Sequence, residues 1–295
     1  MTTFLGHLVP AVGFLLYAIY YSVLTSLALL QEQRVLQHPM LPRKLGGHKL
    51  AWQVSYEALA KVVFPIISIF GEWFFPIGVN RFKMIDWKDP RRPFVFKAVW
   101  EHITMFGFFV LSGVVDLVCQ SHPSSRWSLK LERAAEALTL YVLALMMISH
   151  AESKTPLDNR VHLLLVVLAF LLALVATVEI WLPDQAPLWV LKCWLGMVFS
   201  TWLMQICEMF IPLTGQPWQK DSPTDMAFVT IFFCWHLALA AALLTTIYGL
   251  CRLWHCRSSS RTKTPSTRYQ RCPMESSGEE LEKLRAEAEP QDGGA

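Results

Sequence analysis

Seven long blocks of mostly apolar residues, each near the length that crosses a bilayer, dominate this chain of 295 residues. A membrane-spanning α-helix needs ~20 such residues, and the blocks are too continuous for the alternating strands of a membrane β-barrel. The expected spans are residues 4–30, 59–77, 98–119, 131–149, 161–182, 187–213 and 226–250. The sequence therefore predicts an all-α, polytopic membrane protein with a bundle of seven transmembrane helices.

Composition excludes most other classes of protein. Apolar residues make up 54% of the chain and charged residues 17%, whereas about a quarter of the residues in average globular proteins are charged. This balance excludes a disordered chain and a disulfide-stapled secreted one. The net charge of +3 is small and not clustered on a folded domain, so no nucleic-acid partner is expected. The lipid bilayer is the expected partner, and no protein partner can be read from the sequence.

The chain is expected to have two parts, a transmembrane domain over residues 1–255 and a disordered cytosolic tail over residues 256–295. Lys and Arg favour cytoplasmic loops, and the tail side carries 14 of them against 9 on the other side. We therefore expect the N-terminus outside and the C-terminus in the cytosol, in the plasma membrane or an endomembrane. Cys251 and Cys256 flank the membrane exit, where palmitoylation and unmodified thiols are both open interpretations.

Polar side chains inside the spans are the candidate functional residues, because charged groups at membrane depth usually mark a pathway or a pairing. Alternating the helices places nine of them in or near one half of the membrane, the predicted outer half: His7, Glu72, Glu101, His102, His150, His162, Gln205, Glu208 and His236. Asp116 and Glu179 fall in the opposite half and are expected to face the bundle. His102 and Asp116 are 14 residues apart, about 21 Å along a helix, so one ion cannot bind both.

Four histidines from different helices lie in this layer and could converge: His102, His150, His162 and His236. His150 and His162 border the short turn over residues 151–160, so a position at the rim of the outer mouth is the open alternative for these two. His102 and His236 in particular are expected to reach one another or a shared acidic residue. Imidazole suits zinc and copper, yet no H-x-x-x-H or H-E-x-x-H pair fixes two ligands on one helix face. Three interpretations stay open: histidines bonded between helices without a cofactor, a site that handles protons or cations, and a catalytic metal. No cofactor is expected, and zinc is the alternative.

Several motifs occur in a fixed order along the chain. They are Gly6-His7, Gly71-Glu72, Trp100-Glu101-His102-x-Thr104-Met105, Ser112-Gly113-x-x-Asp116, Pro156-Leu157-Asp158-x-x-x-His162, Glu179, Thr201-Trp202-x-x-Gln205 and Phe233-Cys234-Trp235-His236. Together they resemble the transmembrane protein 45 family, a group of multi-pass proteins of unknown function. The resemblance implies seven helices and a membrane location, and it implies no reaction.

The fourth helix departs from the pattern of that family. Leu143 stands where better-known members carry a glutamate, and the helix ends in His150-Ala151-Glu152 where they have His-x-His. These departures weaken the interpretation of the layer as a metal site more than the interpretation as a hydrogen-bonded one. The leading interpretation of function is a non-enzymatic structural, interaction or trafficking role in epithelial or secretory membranes. The alternatives are a transporter or a proton or cation pathway, and an intramembrane metal-dependent hydrolase.

Overall fold

A computed structural model describes residues 4–33, 44–45, 48–49, 55–75, 77–121, 126–151, 155–210, 215–216, 218–219 and 221–262. The chain divides into two units, Met1–His255 and Cys256–Ala295. The helices in the described ranges are α1 (Phe4–Leu30), α2 (Tyr56–Phe74), α3 (Lys97–Ser121), α4 (Arg126–Ala151), α5 (Pro156–Glu179), α6 (Ala186–Phe210) and α7 (Pro223–Thr262). Two short strands, β1 (Lys44–Leu45) and β2 (His48–Lys49), pair antiparallel.

Of the helices in the described part of the chain, six are long and apolar enough to cross a membrane. The protein is thus an all-α, multi-pass membrane protein. The remaining helix, α2, has 19 residues and carries Glu57, Lys61 and Glu72. These three charges are spread along one short helix, and each has a partner on a neighbouring helix.

The end of α7 differs from the sequence analysis. The helix continues to Thr262, so Cys256–Thr262 are helical although they were assigned to the tail. No glycine or proline follows Gly249 until Pro265, so the sequence contains no helix breaker in this stretch. The disorder expected for residues 263–295 lies outside the described residues.

Consecutive helices from α2 to α6 pack on one another, and α1 packs along α6. Buried alanines such as Ala11, Ala18 and Ala173 let helix backbones approach closely, as in other membrane bundles. α1 also meets α2 at Gly13, where a Cβ atom would lie 2.4 Å from the ring of Phe64. A side chain at residue 13 would therefore force the Phe64 ring to move away from this crossing.

α7 packs on the outside of α6 through a few specific contacts. Trp194 Nε1 donates to the backbone oxygen of Leu237 at 3.1 Å, and the rings of Trp202 and Phe233 lie 5.1 Å apart. Large apolar side chains on the rest of the helix are exposed, for example Trp235. Such a surface is suited to contact with lipid.

A loop with its own internal contacts joins α2 to α3. Ile85 and Phe94 form an antiparallel bridge, and Lys83 Nζ donates to the Asp86 carboxylate at 2.5 Å. The hydrogen bond from Lys83 lowers the pKa of Asp86. The same loop carries Arg81, which reaches back to α2.

Candidate functional site

Four histidines on α1, α3, α4 and α5 lie together, and we call them the histidine cluster: His7, His102, His150 and His162. The ring centroid of His7 is 5.8 Å from that of His150 and 6.2 Å from that of His162. The rings of His102 and His150 are 5.2 Å apart. One ring nitrogen from each of His7, His150 and His162 lies within 4.8 Å of the other two, so these three residues form a candidate metal-ligand group.

Glu101 and His102 are consecutive on α3 and contact different neighbouring helices. His102 Nδ1 lies 2.8 Å from the Glu72 carboxylate on α2, and His150 Nδ1 on α4 lies 2.9 Å from the Glu101 carboxylate. Ser149 Oγ also donates to Glu101, at 2.7 Å. An ionised carboxylate only accepts hydrogen bonds, so Nδ1 carries the proton in both rings. Nε2 is then the basic nitrogen of each ring, as a metal ligand requires.

The start of α5 orients the third ring in the same way. Thr155 caps the helix by accepting from the Asp158 amide at 3.4 Å, and Pro156 occupies the first turn. One turn later, His162 Nδ1 donates to the Asp158 backbone oxygen at 2.7 Å. Since a carbonyl oxygen cannot donate, this contact also leaves Nε2 as the basic nitrogen.

Cations hold the two carboxylates that stand behind the histidines. Arg81 Nη1 donates to the Glu72 backbone oxygen at 3.2 Å and lies 3.8 Å from its carboxylate. Lys97 Nζ lies 3.6 Å from Glu101 and donates to the Ser149 backbone oxygen at 3.0 Å. The rings are therefore oriented by groups that are themselves fixed, which is typical of the surroundings of metal-binding histidines.

His236 is not in the histidine cluster. Its Nε2 lies 3.4 Å from Gln205 Oε1, and its ring packs on Trp202 at 5.5 Å. This corrects the expectation that His236 joins the other histidines or shares an acidic residue with His102. The fourth member of the histidine cluster is His7 instead of His236. Glu208 is on α6, outside the ligand group found among the described residues. Counting residues along the helices predicts the depth of His236 in the membrane. It does not predict the direction in which the His236 side chain points from α7.

A small cavity of about 40 Å³ borders the histidine cluster. His7, His102 and His162 line it together with apolar residues such as Leu143 and Met147. A water molecule needs roughly 10–15 Å³ in this measure, so the cavity has room for one or a few waters. It lies directly against the candidate ligands.

The opposite half of the bundle holds a group of buried ion pairs, which we call the charge network: Glu57, Lys61, Asp116, Arg133, Glu136, Glu179 and Lys192. Lys61 Nζ lies 2.6 Å from the Glu57 carboxylate and 2.9 Å from that of Asp116. Tyr17 and Tyr21 also donate to Glu57, at 2.7 and 2.5 Å. Asp116, 3% exposed, thus faces the interior and is paired.

The second part of the charge network joins α4, α5 and α6. Lys192 Nζ lies 2.7 Å from the Glu179 carboxylate and 3.0 Å from that of Glu136. Arg133 lies 3.3 Å from Glu136 and 3.6 Å from Glu179. Sequence reasoning singled out only the acids Asp116 and Glu179. A buried carboxylate needs a paired charge, but the sequence gives no local signal for which cation pairs with it.

The charge network lines one end of a larger cavity, and an apolar layer separates that cavity from the small one. Both cavities are lined by the same five side chains, which we call the apolar septum: Phe14, Phe106, Phe109, Leu143 and Phe199. The histidine cluster and the charge network are therefore distinct sites. On α7, Cys251 is partly exposed and Cys256 is exposed, so both thiols are on the surface.

Taken together, the fold and these sites define a multi-pass membrane protein with a buried histidine cluster on one side of an apolar septum and an ion-paired network on the other. Residues 129–249 match a family of unknown function, DUF716. The chain is 33% identical to transmembrane epididymal protein 1A of Mus musculus over 293 residues, which cover 99% of this chain and 94% of that protein.

Two further relatives carry the same name. Transmembrane epididymal protein 1 of Rattus norvegicus is 34% identical over 256 residues, 86% of this chain and 83% of that protein. The Homo sapiens protein of that name is 33% identical over 217 residues, 73% of this chain and 78% of that protein. The chain belongs to this family of transmembrane epididymal proteins, which carries no established activity in the DUF716 description.

Proposed function

We propose that this protein binds a divalent transition-metal ion, zinc first, through His7, His150 and His162. The observation that carries the proposal is the convergence of three ring nitrogens within 4.8 Å. Zinc–nitrogen bonds of ~2.0–2.1 Å in a tetrahedral site put ligand nitrogens about 3.3 Å apart. Small rotations of the three side chains therefore close the site on an ion.

The chemistry of the ligands favours zinc over calcium or magnesium. Imidazole suits zinc and copper, whereas calcium and magnesium prefer oxygen ligands. The Nδ1 contacts of His150 and His162 to Glu101 and to the Asp158 backbone oxygen orient both rings and leave Nε2 of each ring as the candidate ligand atom. No rearrangement of the backbone is needed to present the ligands.

The role of the ion in this proposal is structural and non-enzymatic. The three ligands come from α1, α4 and α5, so one ion ties the N-terminal helix to the middle of the bundle. A second candidate is a catalytic zinc, which uses three protein ligands and keeps a fourth position for water. The small cavity beside His7 and His162 favours this alternative, since it provides space for that water.

Metal analysis of the purified full-length protein in detergent tests the proposal. We expect about one zinc per chain in the wild type, loss of most of it in His150→Ala, and retention in the matched control His236→Ala. Zinc at 100 times its dissociation constant should stabilise the wild type by about 2.7 kcal/mol and leave His150→Ala unchanged. Equal zinc content and equal thermal stabilisation of the wild type and His150→Ala would contradict it.

The proposal extends to the topology. We place α2 in the membrane as a seventh span, supported by the pairing of its charges: Lys61 with Asp116 on α3, and Glu72 with His102 on α3. With seven spans the termini lie on opposite faces, and the larger number of basic residues on the tail side supports a cytosolic C-terminus. The names of the relatives support a membrane location in the epididymis, within which we place the protein in the plasma membrane or an endomembrane. The ordered motifs support kinship with the transmembrane protein 45 family.

A further inference from the structure

The larger cavity has the size and the two-ended character of a site for an amphiphile. It measures about 460 Å³ and lies between α1 and α2, with walls also from α3, α4 and α6. Pockets that hold small molecules commonly measure ~300–1,000 Å³. Leu16, Phe64 and Leu140 are among its apolar walls, and the other end is lined by four charged residues: Glu57, Lys61, Glu136 and Lys192.

Two buried hydroxyl groups on the walls of this cavity are unpaired. Within the part of the chain that the structure describes, neither Ser112 Oγ nor Tyr20 Oη has a hydrogen-bond partner. Ser112 is 2% exposed, and the Tyr20 oxygen is buried as well. A buried hydroxyl without a partner is unfavourable, and such groups in native proteins call for an explanation. Here they mark the place where the polar group of a ligand sits.

The net charge of the charge network favours one sign of charge on the polar group of the ligand. Among the described residues it contains four carboxylates and three cations, so its formal charge is −1 when all are ionised. Lys61 and Lys192 each lie between two carboxylates, which offset their charge. An added cation balances the network, whereas an added anion doubles its excess charge.

We infer that this cavity binds a single-chain amphiphile with a protonated amine head. The ammonium group has three N–H donors, which match Ser112 Oγ, Tyr20 Oη and a carboxylate of Glu57 or Glu136. The tyrosine rings at this end add a favourable environment for a cation. The hydrocarbon chain extends along the apolar walls towards the septum, and the ligand enters from the bilayer between α1 and α2.

Photocrosslinking to the full-length protein in neutral phosphatidylcholine nanodiscs tests the inference. The probes are a C16 primary amine with a mid-chain diazirine and the matched C16 carboxylate and C16 alcohol, each at pH 7. We expect the amine to label peptides of α1 and α2 and to compete at least about tenfold better than the carboxylate or the alcohol. Ser112→Ala combined with Tyr20→Phe should weaken amine binding about tenfold or more.

This double variant should fold, since it removes two hydroxyls that have no described partner. Tyr248→Phe on α7 is the matched control and should bind the amine like the wild type. Tyr20→Phe alone is a more conservative change, and its loss of amine affinity should lie between that of the wild type and that of the double variant. The inference is overturned if the carboxylate binds as well as the amine, if label falls outside the cavity, or if the double variant binds the amine unchanged.

Discussion

Replacing Lys192 by Met should destabilise the bundle severely, because it removes one of the two cations between two buried carboxylates. Glu179 is 1% exposed and lies 2.7 Å from Lys192, whereas Arg133 is 3.6 Å away. Methionine keeps the length of the apolar stem, so the change isolates the charge. Removing one partner of a buried ion pair costs about 3–5 kcal/mol. At ~2–4 °C for each kcal/mol, the apparent Tm should fall on the order of 10 °C.

The second half of the experiment restores the charge balance. Glu179→Gln together with Lys192→Met leaves Glu136 and Arg133 as one intact pair at 3.3 Å. The double variant should therefore be more stable than Lys192→Met alone, and its loss should be well below the sum of the two single losses. Fluorescence-detected thermal unfolding of full-length protein in detergent measures all four members of the cycle.

A surface lysine provides the control. Lys88 is exposed in the loop between α2 and α3, and Lys88→Met makes the same chemical change without burial. Its Tm should stay within about 1 °C of the wild type, because surface substitutions rarely exceed ±0.5 kcal/mol. The reasoning is refuted if Lys192→Met is as stable as Lys88→Met, or if the losses of the two single variants simply add in the double.

Three further predictions concern packing, topology and metal. Gly113→Ala should lower the free energy of unfolding by about 1–3 kcal/mol, since its Cβ would lie 2.8 Å from Val62 and 2.9 Å from Lys61. Thermal unfolding measures this loss against the control Gly107→Ala, whose Cβ meets no described atom within 4 Å. Tags at the two termini should be stained on opposite faces of intact cells; staining on the same face would exclude α2 as a span. Leu143→Glu should destabilise the metal-free protein and increase its thermal stabilisation by zinc, because Leu143 lines the small cavity beside the histidines.

The positions of the helices could be predicted from the sequence because burial in lipid leaves a signal in every span. Each helix contains most of the apolar block that was expected for it, and α2, the one helix outside the six candidate spans of the described residues, carries three charges in 19 residues. The predicted start of α2 is the helix boundary with the largest consequence for the candidate sites. The apolar block began at residue 59, whereas Ser55 caps the helix by accepting from the Ala58 amide, so Glu57 lies within it. The expected span therefore omitted the acid on which Tyr17 and Tyr21 converge.

The sequence predicts the depth of the candidate side chains in the membrane, but it does not predict the direction in which they point. Counting residues from the membrane face puts His7, His102 and His236 in one layer, but only packing decides which of them meet. His236 turns towards Gln205 on α6, and His7 points to the other three histidines. Lys192 was counted as a loop cation, because a single charge near a helix end looks the same whether it faces water or Glu179. Long-range partners of this kind have no local sequence signal.

The apolar septum is a barrier to the movement of charge between the two polar sites of the protein. A layer of apolar side chains has a low dielectric constant, so moving an ion or a proton between the two cavities past Phe14, Phe109 and their neighbours is costly. A polar side chain in place of one of these five residues should lower that barrier between the histidine cluster and the charge network.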